Sequence, residues 1–271
     1  MNNILVRTLS GAVFISLILI PLFLEDPLIS LLVLFVFMIL GVIEFNNFFK
    51  DSQIIKINPQ LNLVFSFAIG VLFLVAHFCQ LDVAIHFILP ILFLWNLTEL
   101  WRKQEQPLLN IGVSMYGFLY VCVPLFLAMN MQFNETRSFP LLVGMFLLIW
   151  TNDTFAFLSG KFFGNHKLFE RISPKKTWEG TIGGFIFTLV MAFVISYFFD
   201  PTNQFFWMVS VVIIVPAAIF GDLLESLFKR SLGVKDSGTI MPGHGGILDR
   251  FDATLYTLPF FYWWCELYFN A

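Results

Sequence analysis

The sequence predicts an all-α, polytopic integral membrane protein with about nine transmembrane helices, and three observations predict it. Of its 271 residues 58% are hydrophobic and only 12% charged, with a mean hydropathy of +0.84. Soluble domains carry roughly 25% charged residues, and a chain of this size has no interior large enough to hide so much apolar surface. The apolar residues fall in successive windows near the ~20 residues that a helix needs to cross the hydrocarbon core. The basic residues collect on alternate sides of those windows, as the positive-inside rule requires.

In chain order the windows are 8–24, 28–49, 61–78, 83–101, 108–129, 139–160, 180–199, 205–228 and 252–269. Arg7 precedes the first, but no small-residue cleavage site follows, so that window reads as a spanning helix rather than a removable leader. Pro90, Pro124 and Pro216 fall inside three windows, which membrane helices tolerate when neighbours satisfy the freed carbonyl. Glu44 and Glu266 interrupt the second and last, making these the weakest. Cys79, Cys122 and Cys265 sit in apolar runs at spacings that suit neither a metal site nor a disulfide framework, and read as packing residues. The chain divides into N-terminal transmembrane helices, 1–138, and a C-terminal region, 139–271.

With the N-terminus in the cytoplasm, fourteen of the fifteen basic residues fall on the cytoplasmic side and only Arg137 falls outside. Glu25, Asp26, Asp82, Glu135 and Asp200 occupy the outer loops. An error of one helix would scramble this bias, so it supports the odd helix count. Two inner loops, 161–179 and 229–251, hold nine of the fifteen basic residues and are rich in Gly, Ser and Thr. The active site is therefore expected at the cytoplasmic ends of the C-terminal helices.

Carboxylates at membrane depth are the first sign of chemistry. Asp153, Asp222 and Glu225 lie within or beside apolar windows, where an ionised carboxylate costs at least about 2.5 kcal/mol. Asp222, Glu225 and Lys229 recur at i, i+3 and i+7 and share one helical face. Asp249 follows, with Asp252 three residues later. Asp222 and Asp249 read as a cation site facing a polar cavity, whereas Glu225 with Lys229 reads equally as a structural ion pair.

The run Ser173-Pro174-Lys175-Lys176-Thr177-Trp178-Glu179-Gly180 sets two lysines and two hydroxyls beside a predicted helix start. Free backbone N–H groups and the helix dipole favour phosphate there, although basic residues at a membrane edge also fix topology or meet anionic lipid. Gly180, Gly183 and Gly184 read as aids to close helix packing rather than as ligand contacts. The run from Ser226 through Lys229, Arg230, Lys235, Asp236, Gly243, His244, Gly245, Gly246, Asp249 and Arg250 to Asp252 is the richest. Its carboxylates suit a divalent cation, and its Lys and Arg suit phosphates. No Ser/His/Asp or Cys/His arrangement and no Walker-type loop is present. A phosphate nucleophile, already ionised near neutral pH, needs no base; metal ions with Lys and Arg then supply charge neutralisation and positioning. The inventory thus fits nucleotidyl transfer onto a lipid phosphate better than hydrolysis, and leaves the nucleotide open.

The 27-residue run Ser226–Asp252 closely resembles the signature of the phosphatidate cytidylyltransferases, also called CDP-diacylglycerol synthases. Asn152-Asp153-Thr154 through Gly164 and Ile172–Gly180 resemble the same family, while the N-terminal half matches in hydropathy and in features such as Arg7 and Glu44. Phe157 stands where the family often has Tyr, and Glu170 where proline is common. The resemblance implies that CTP and phosphatidic acid give CDP-diacylglycerol and pyrophosphate, a step of phospholipid biosynthesis, with Mg2+ and a second, monovalent cation such as K+. It makes Asp222 and Asp249 metal ligands and gives them catalytic roles with Lys229 and Arg230. Ser173, Lys175, Lys176, Thr177, Glu179, Lys235, Asp236, His244 and Arg250 become substrate-binding residues. It implies a multi-pass protein of the inner (plasma) membrane among membrane lipids, compatible with a homodimer and without a nucleic-acid partner. A relative acting on a polyprenyl or ether-lipid phosphate, and an ion-coupled transporter, are the competing readings.

Overall fold

The computed structural model describes residues 3–24, 26–79, 81, 86–133, 139–234, 236–238, 240 and 245–269, with side chains from residue 8 onward. The Arg7 side chain, the outer-loop residues Glu25, Asp82, Glu135 and Arg137, and the site candidates Lys235 and His244 lie outside the described residues. The described chain forms two compact units, each discontinuous in sequence: Met1–Ile18, Asp26–Phe133 and Asp236–Asp249 in the first, and Leu19–Glu25, Asn134–Lys235 and Arg250–Ala271 in the second.

Helix α1 (Asn3–Leu22) begins in the first unit, which continues with α2 (Leu28–Asn47), α3 (Pro59–Phe78), α4 (Ile88–Leu97), the single turn α5 (Glu99–Arg102), α6 (Pro107–Gly117) and α7 (Val123–Phe133). A π turn, Phe118–Cys122, joins α6 to α7 just before Pro124. A wider turn of this kind accommodates a residue that cannot donate to the helical ladder. Pro59 opens α3 behind Asn58, whose side chain accepts from the Gln60 and Leu61 amides and caps the helix. Leu31 and Met38 of α2, Ile69 of α3 and Met129 of α7 form the fully buried centre of this unit. Asn62 Nδ2 donates to Asn46 Oδ1 at 2.8 Å, so these two buried amides partner each other between α2 and α3.

The second unit holds α8 (Leu141–Phe163), α9 (Trp178–Phe198), α10 (Gln204–Ser231) and most of α11 (Leu248–Phe269). Phe206, Trp207, Phe261 and Trp264 build an aromatic core; the Trp207 indole donates to Asp200 Oδ2 at 3.0 Å and that of Trp264 to Ser210 Oγ at 3.1 Å. Helices α8 and α9 approach most closely through glycine, as their sequence suggests. A Cβ on Gly180 would stand 2.7 Å from the Ala156 carbonyl oxygen and 3.2 Å from Gly160 Cα, and one on Gly183 would overlap the Ser159 side chain.

Six stretches are long and apolar enough to cross a membrane: Leu28–Asn47, Pro59–Phe78, Pro107–Phe133, Leu141–Phe163, Trp178–Phe198 and Pro201–Ser231. They coincide with six of the nine predicted windows. The other three differ for separate reasons. Helix α1 runs over 20 residues, Asn3–Leu22, and is apolar over Thr8–Leu22 among the residues with described side chains. Within 83–101 the described residues form the 10-residue helix Ile88–Leu97, about 15 Å of rise, followed by the turn that starts at Glu99. Helix α11 is 22 residues long but less apolar, because Asp249, Asp252 and Glu266 punctuate it. The architecture is also not wholly helical. Loop 161–179 folds as an antiparallel hairpin of β1 (Lys167–Phe169) and β2 (Ser173–Thr177), pairing Lys167 with Thr177 and Phe169 with Ser173. None of the three cysteines is in a disulfide; Cys122 and Cys265 are buried and Cys79 is exposed.

The glycine contact between α8 and α9 has a direct test. Gly180→Val has no flexible neighbour to displace, because a Cβ there meets backbone on two sides; overpacking of this kind costs about 1–3 kcal/mol. Thermal unfolding in detergent is expected to shift down by several degrees. In the control Gly112→Ala, whose Cβ meets nothing within 4 Å, the midpoint is expected to hold or rise, since alanine is the better helix former.

Candidate functional site

One face of α8 carries the spacing that builds a wall: Asp153, Ala156, Phe157, Gly160 and Lys161 recur at i, i+3, i+4, i+7 and i+8. Opposite stand Ser173, Lys175, Lys176 and Thr177 of β2, Thr181 of α9 and Asp222 of α10. Together they enclose a cavity of about 390 Å3 within the second unit. The hairpin delivers the lysines because Thr177 ends β2 and starts α9 in one step. Its backbone is extended, with φ −130° and ψ 155°, and its Oγ1 accepts from the Gly180 amide at 3.2 Å. That is an N-cap, so the Thr177 hydroxyl oxygen holds the helix start at the cavity wall. Glu179 is similarly engaged: it accepts from the Asn165 and His166 amides at 3.1–3.2 Å and from His166 Nδ1 at 2.6 Å, fastening the segment before β1. Thr177 lines the cavity and keeps its hydroxyl proton to donate, while Glu179 fixes the segment that leads into the hairpin.

The charges form one connected set. Lys176 Nζ pairs with Asp222 Oδ2, both side chains about a third exposed, at 26% and 36%. Asp222 Oδ1 also accepts from Ser226 Oγ at 3.4 Å. Asp153 lies within electrostatic reach of Asp222 and Lys176, and Asp252 within reach of Glu225, Asp222 and Asp153. Glu225 is fully buried and accepts from Lys229 at 3.1 Å, which is the structural pairing that their spacing allowed. A buried carboxylate retains its charge only with such partners. Arg230 and Arg250 are exposed.

Asp249 belongs to the first unit, Asp222 to the second. Asp249 Oδ2 accepts from the Ser237 amide at 2.9 Å and the Gly246 amide at 2.7 Å, so its carboxylate is fixed against the chain that precedes it. Asp236 is exposed beside Ser237. Lys161 is a cavity residue that sequence reasoning leaves as one loop cation among many; its place one helical turn beyond Phe157 on the Asp153 face is the signal that identifies it.

The donor chemistry fits magnesium. Among the described residues no group of three or more His, Cys, Asp or Glu stands close enough to hold a metal ion alone. Magnesium does not require one, because it is held through one or two carboxylates and fills its shell with phosphate oxygens and water. Asp222 and Asp153 on the wall of a lysine-bearing cavity offer hard oxygens of that kind.

Comparison with known proteins points in one direction. A family model described as the cytidylyltransferase family matches residues 5–268. A phosphatidate cytidylyltransferase of Haemophilus influenzae is 33% identical across 94% of this chain and 96% of its own length. Those of Staphylococcus aureus and Staphylococcus haemolyticus are 48% and 49% identical over 48% of the chain. The chain spans about half the length, 51%, of these two staphylococcal relatives in the match.

Lys161 provides a test of the cavity as an anion site. Lys161→Met keeps an apolar stem and removes the charge. A charge-assisted hydrogen bond contributes about 1.5–3 kcal/mol when desolvated, and less at an exposed position, so pyrophosphate binding by calorimetry should weaken about three- to tenfold. Unchanged affinity would remove Lys161 from the site.

Proposed function

The chain belongs to the cytidylyltransferase family, and on that premise we propose that it transfers the cytidylyl group of CTP to phosphatidate, giving CDP-diacylglycerol and pyrophosphate. The observation that carries this reading is the cavity lined by Lys161, Lys175 and Lys176 together with Asp153 and Asp222. Such a mixed wall suits two anionic reactants. Lysines alone would bind phosphate, whereas lysines with carboxylates also provide for a divalent cation. Asp222, with Asp153 on the same cavity, would present its carboxylate to magnesium; Asp249, the other carboxylate that the family resemblance makes a metal ligand, is held within the first unit. When bound, the ion supplies charge neutralisation to the nucleotide phosphates.

The residues of the chain do the remaining work. Lys175 and Lys176 draw the triphosphate toward the cavity and reduce its repulsion for the incoming lipid phosphate. The Lys176–Asp222 pair holds both groups oriented before substrate arrives, which lowers the entropy lost in reaching the reactive arrangement. An oxygen of the lipid phosphate attacks the α-phosphorus, the new P–O bond forms, and the bond to the β-phosphate oxygen breaks. Pyrophosphate leaves as an anion, so no proton transfer to the leaving group is needed. Lys229 and Arg230 at the end of α10 contribute positive charge to the same reaction in this reading. The protein works as a multi-pass inner-membrane protein with its N-terminus and its basic loops in the cytoplasm, where CTP is available.

Protein purified in detergent should convert phosphatidate, CTP and Mg2+ to a cytidine-linked lipid and pyrophosphate in equal amounts. ATP in place of CTP should give far less product. Asp222→Asn should lower turnover about 100-fold or more, on the scale of losing a transition-state charge partner, while the protein still purifies as a folded species. Product formed from a polyprenyl phosphate in preference to phosphatidate would reassign the lipid. No product from any lipid phosphate would overturn the reading.

A further inference from the structure

Glu44 interrupts the apolar helix α2, yet it is one of the most completely satisfied polar groups in the first unit. Its side chain is 1% exposed. Oε1 accepts from the Ile247 amide at 2.9 Å, and Oε2 accepts from the Leu248 amide at 2.9 Å and from Ser237 Oγ at 3.0 Å. Three donors meet two oxygens that only accept, which is the match a carboxylate provides and an amide does not. Two of the donors are the amides at the start of α11, which have no partner within their own helix. A negative charge at that end also complements the helix dipole. Glu44 therefore caps α11 from another helix.

The surrounding chain is shaped to this contact. A Cβ on Gly238 would lie 2.6 Å from Glu44 Oε1, and one on Gly246 would overlap both Glu44 Oε2 and Ser237 Oγ. Gly245, at φ +85°, occupies the left-handed region that glycine adopts without strain, and a Cβ there would meet Asp249 Oδ2 at 2.5 Å. Ser237 connects the two acids: its hydroxyl donates to Glu44 while its amide donates to Asp249 Oδ2, and the Asp249 amide reaches back to its Oγ at 3.3 Å.

We infer that Glu44 is a positioning residue: through Ser237 and the Ile247 and Leu248 amides it holds residues 236–238 and 245–249 and sets the orientation of the Asp249 carboxylate. The inference rests on the cytidylyl-transfer reading only for its effect on rate; the anchoring itself is independent of any substrate.

The test therefore has two readouts. Hydrogen exchange on the metal-free full chain in detergent should show the 245–249 amides protected. Glu44→Gln, which turns an NH2 group toward donors, should speed their exchange about tenfold or more while peptides of α3 and α6 keep their protection. With CTP, phosphatidate and Mg2+, the same variant should lower kcat at least about tenfold, raise the Mg2+ needed for half-maximal rate, and leave KM for CTP within about twofold. Ser237→Ala removes one donor and leaves the two amide bonds, so it should give a smaller effect in the same direction and remain measurable if Glu44→Gln does not fold. The double variant should be no worse than Glu44→Gln, since both act through one network. Unchanged exchange at 245–249 in both single variants would overturn the anchoring. Faster exchange with unaltered kcat would overturn the positioning role. A wild-type protein inactive with every lipid phosphate, but showing the expected exchange pattern, would count against the proposed activity and leave the anchor standing.

Discussion

A carboxylate set among apolar helices must find its hydrogen-bond donors inside the protein, because hydrocarbon supplies none. Much of this structure follows from that constraint. In the first unit the Glu44 carboxylate meets it with two backbone amides and a serine hydroxyl. In the second, Glu225 meets it with Lys229, and Asp222 with Lys176 and Ser226. The solutions differ in consequence. Glu44 and Glu225 are buried against their donors, so they organise the chain. Asp222 remains partly exposed at a cavity wall, where it pairs with Lys176.

Small residues make these arrangements possible. Polar groups can converge only where backbones approach closely, and the close approaches run through glycine: Gly160 and Gly180 between α8 and α9, Gly238 and Gly246 around Glu44. The hairpin before α9 works with them. It carries Lys175 and Lys176 on an extended strand that ends in the capping Thr177, so the helix start, the lysines and the Asp153 face of α8 meet in one cavity. The same glycines that allow helix packing thus decide where the charged groups stand.

Much of the fold was legible in the sequence, because hydropathy and helical period are set by residues only a few positions apart. Six apolar windows became helices long enough to span a membrane. The i, i+3, i+7 spacing on α10 placed Asp222, Glu225 and Lys229 together, and the glycines of α9 read correctly as packing residues. The hairpin escaped detection: its five-residue strand Ser173–Thr177 is polar and contains proline, and only pairing with Lys167–Phe169 makes it a strand. Thr177 and Glu179 read as residues that help place the nucleotide, and the sequence does not show what else they hold. In the structure the Thr177 hydroxyl also accepts from the Gly180 amide, and the Glu179 carboxylate accepts from Asn165 and His166. Glu44 read as a flaw in a membrane helix, although an acid in such a setting is a functional candidate by default.

The sequence by itself determined the membrane class, the concentration of charge in two loops and the chemistry those loops carry, since composition, periodicity and motif spacing are local properties. Only the tertiary structure decided which donor meets which acceptor. The partners of Glu44 lie 193 to 204 residues away along the chain, and no local pattern specifies a contact of that separation. It arises when packing brings a helix and a glycine-rich segment together and the buried acid is left with those donors and no water.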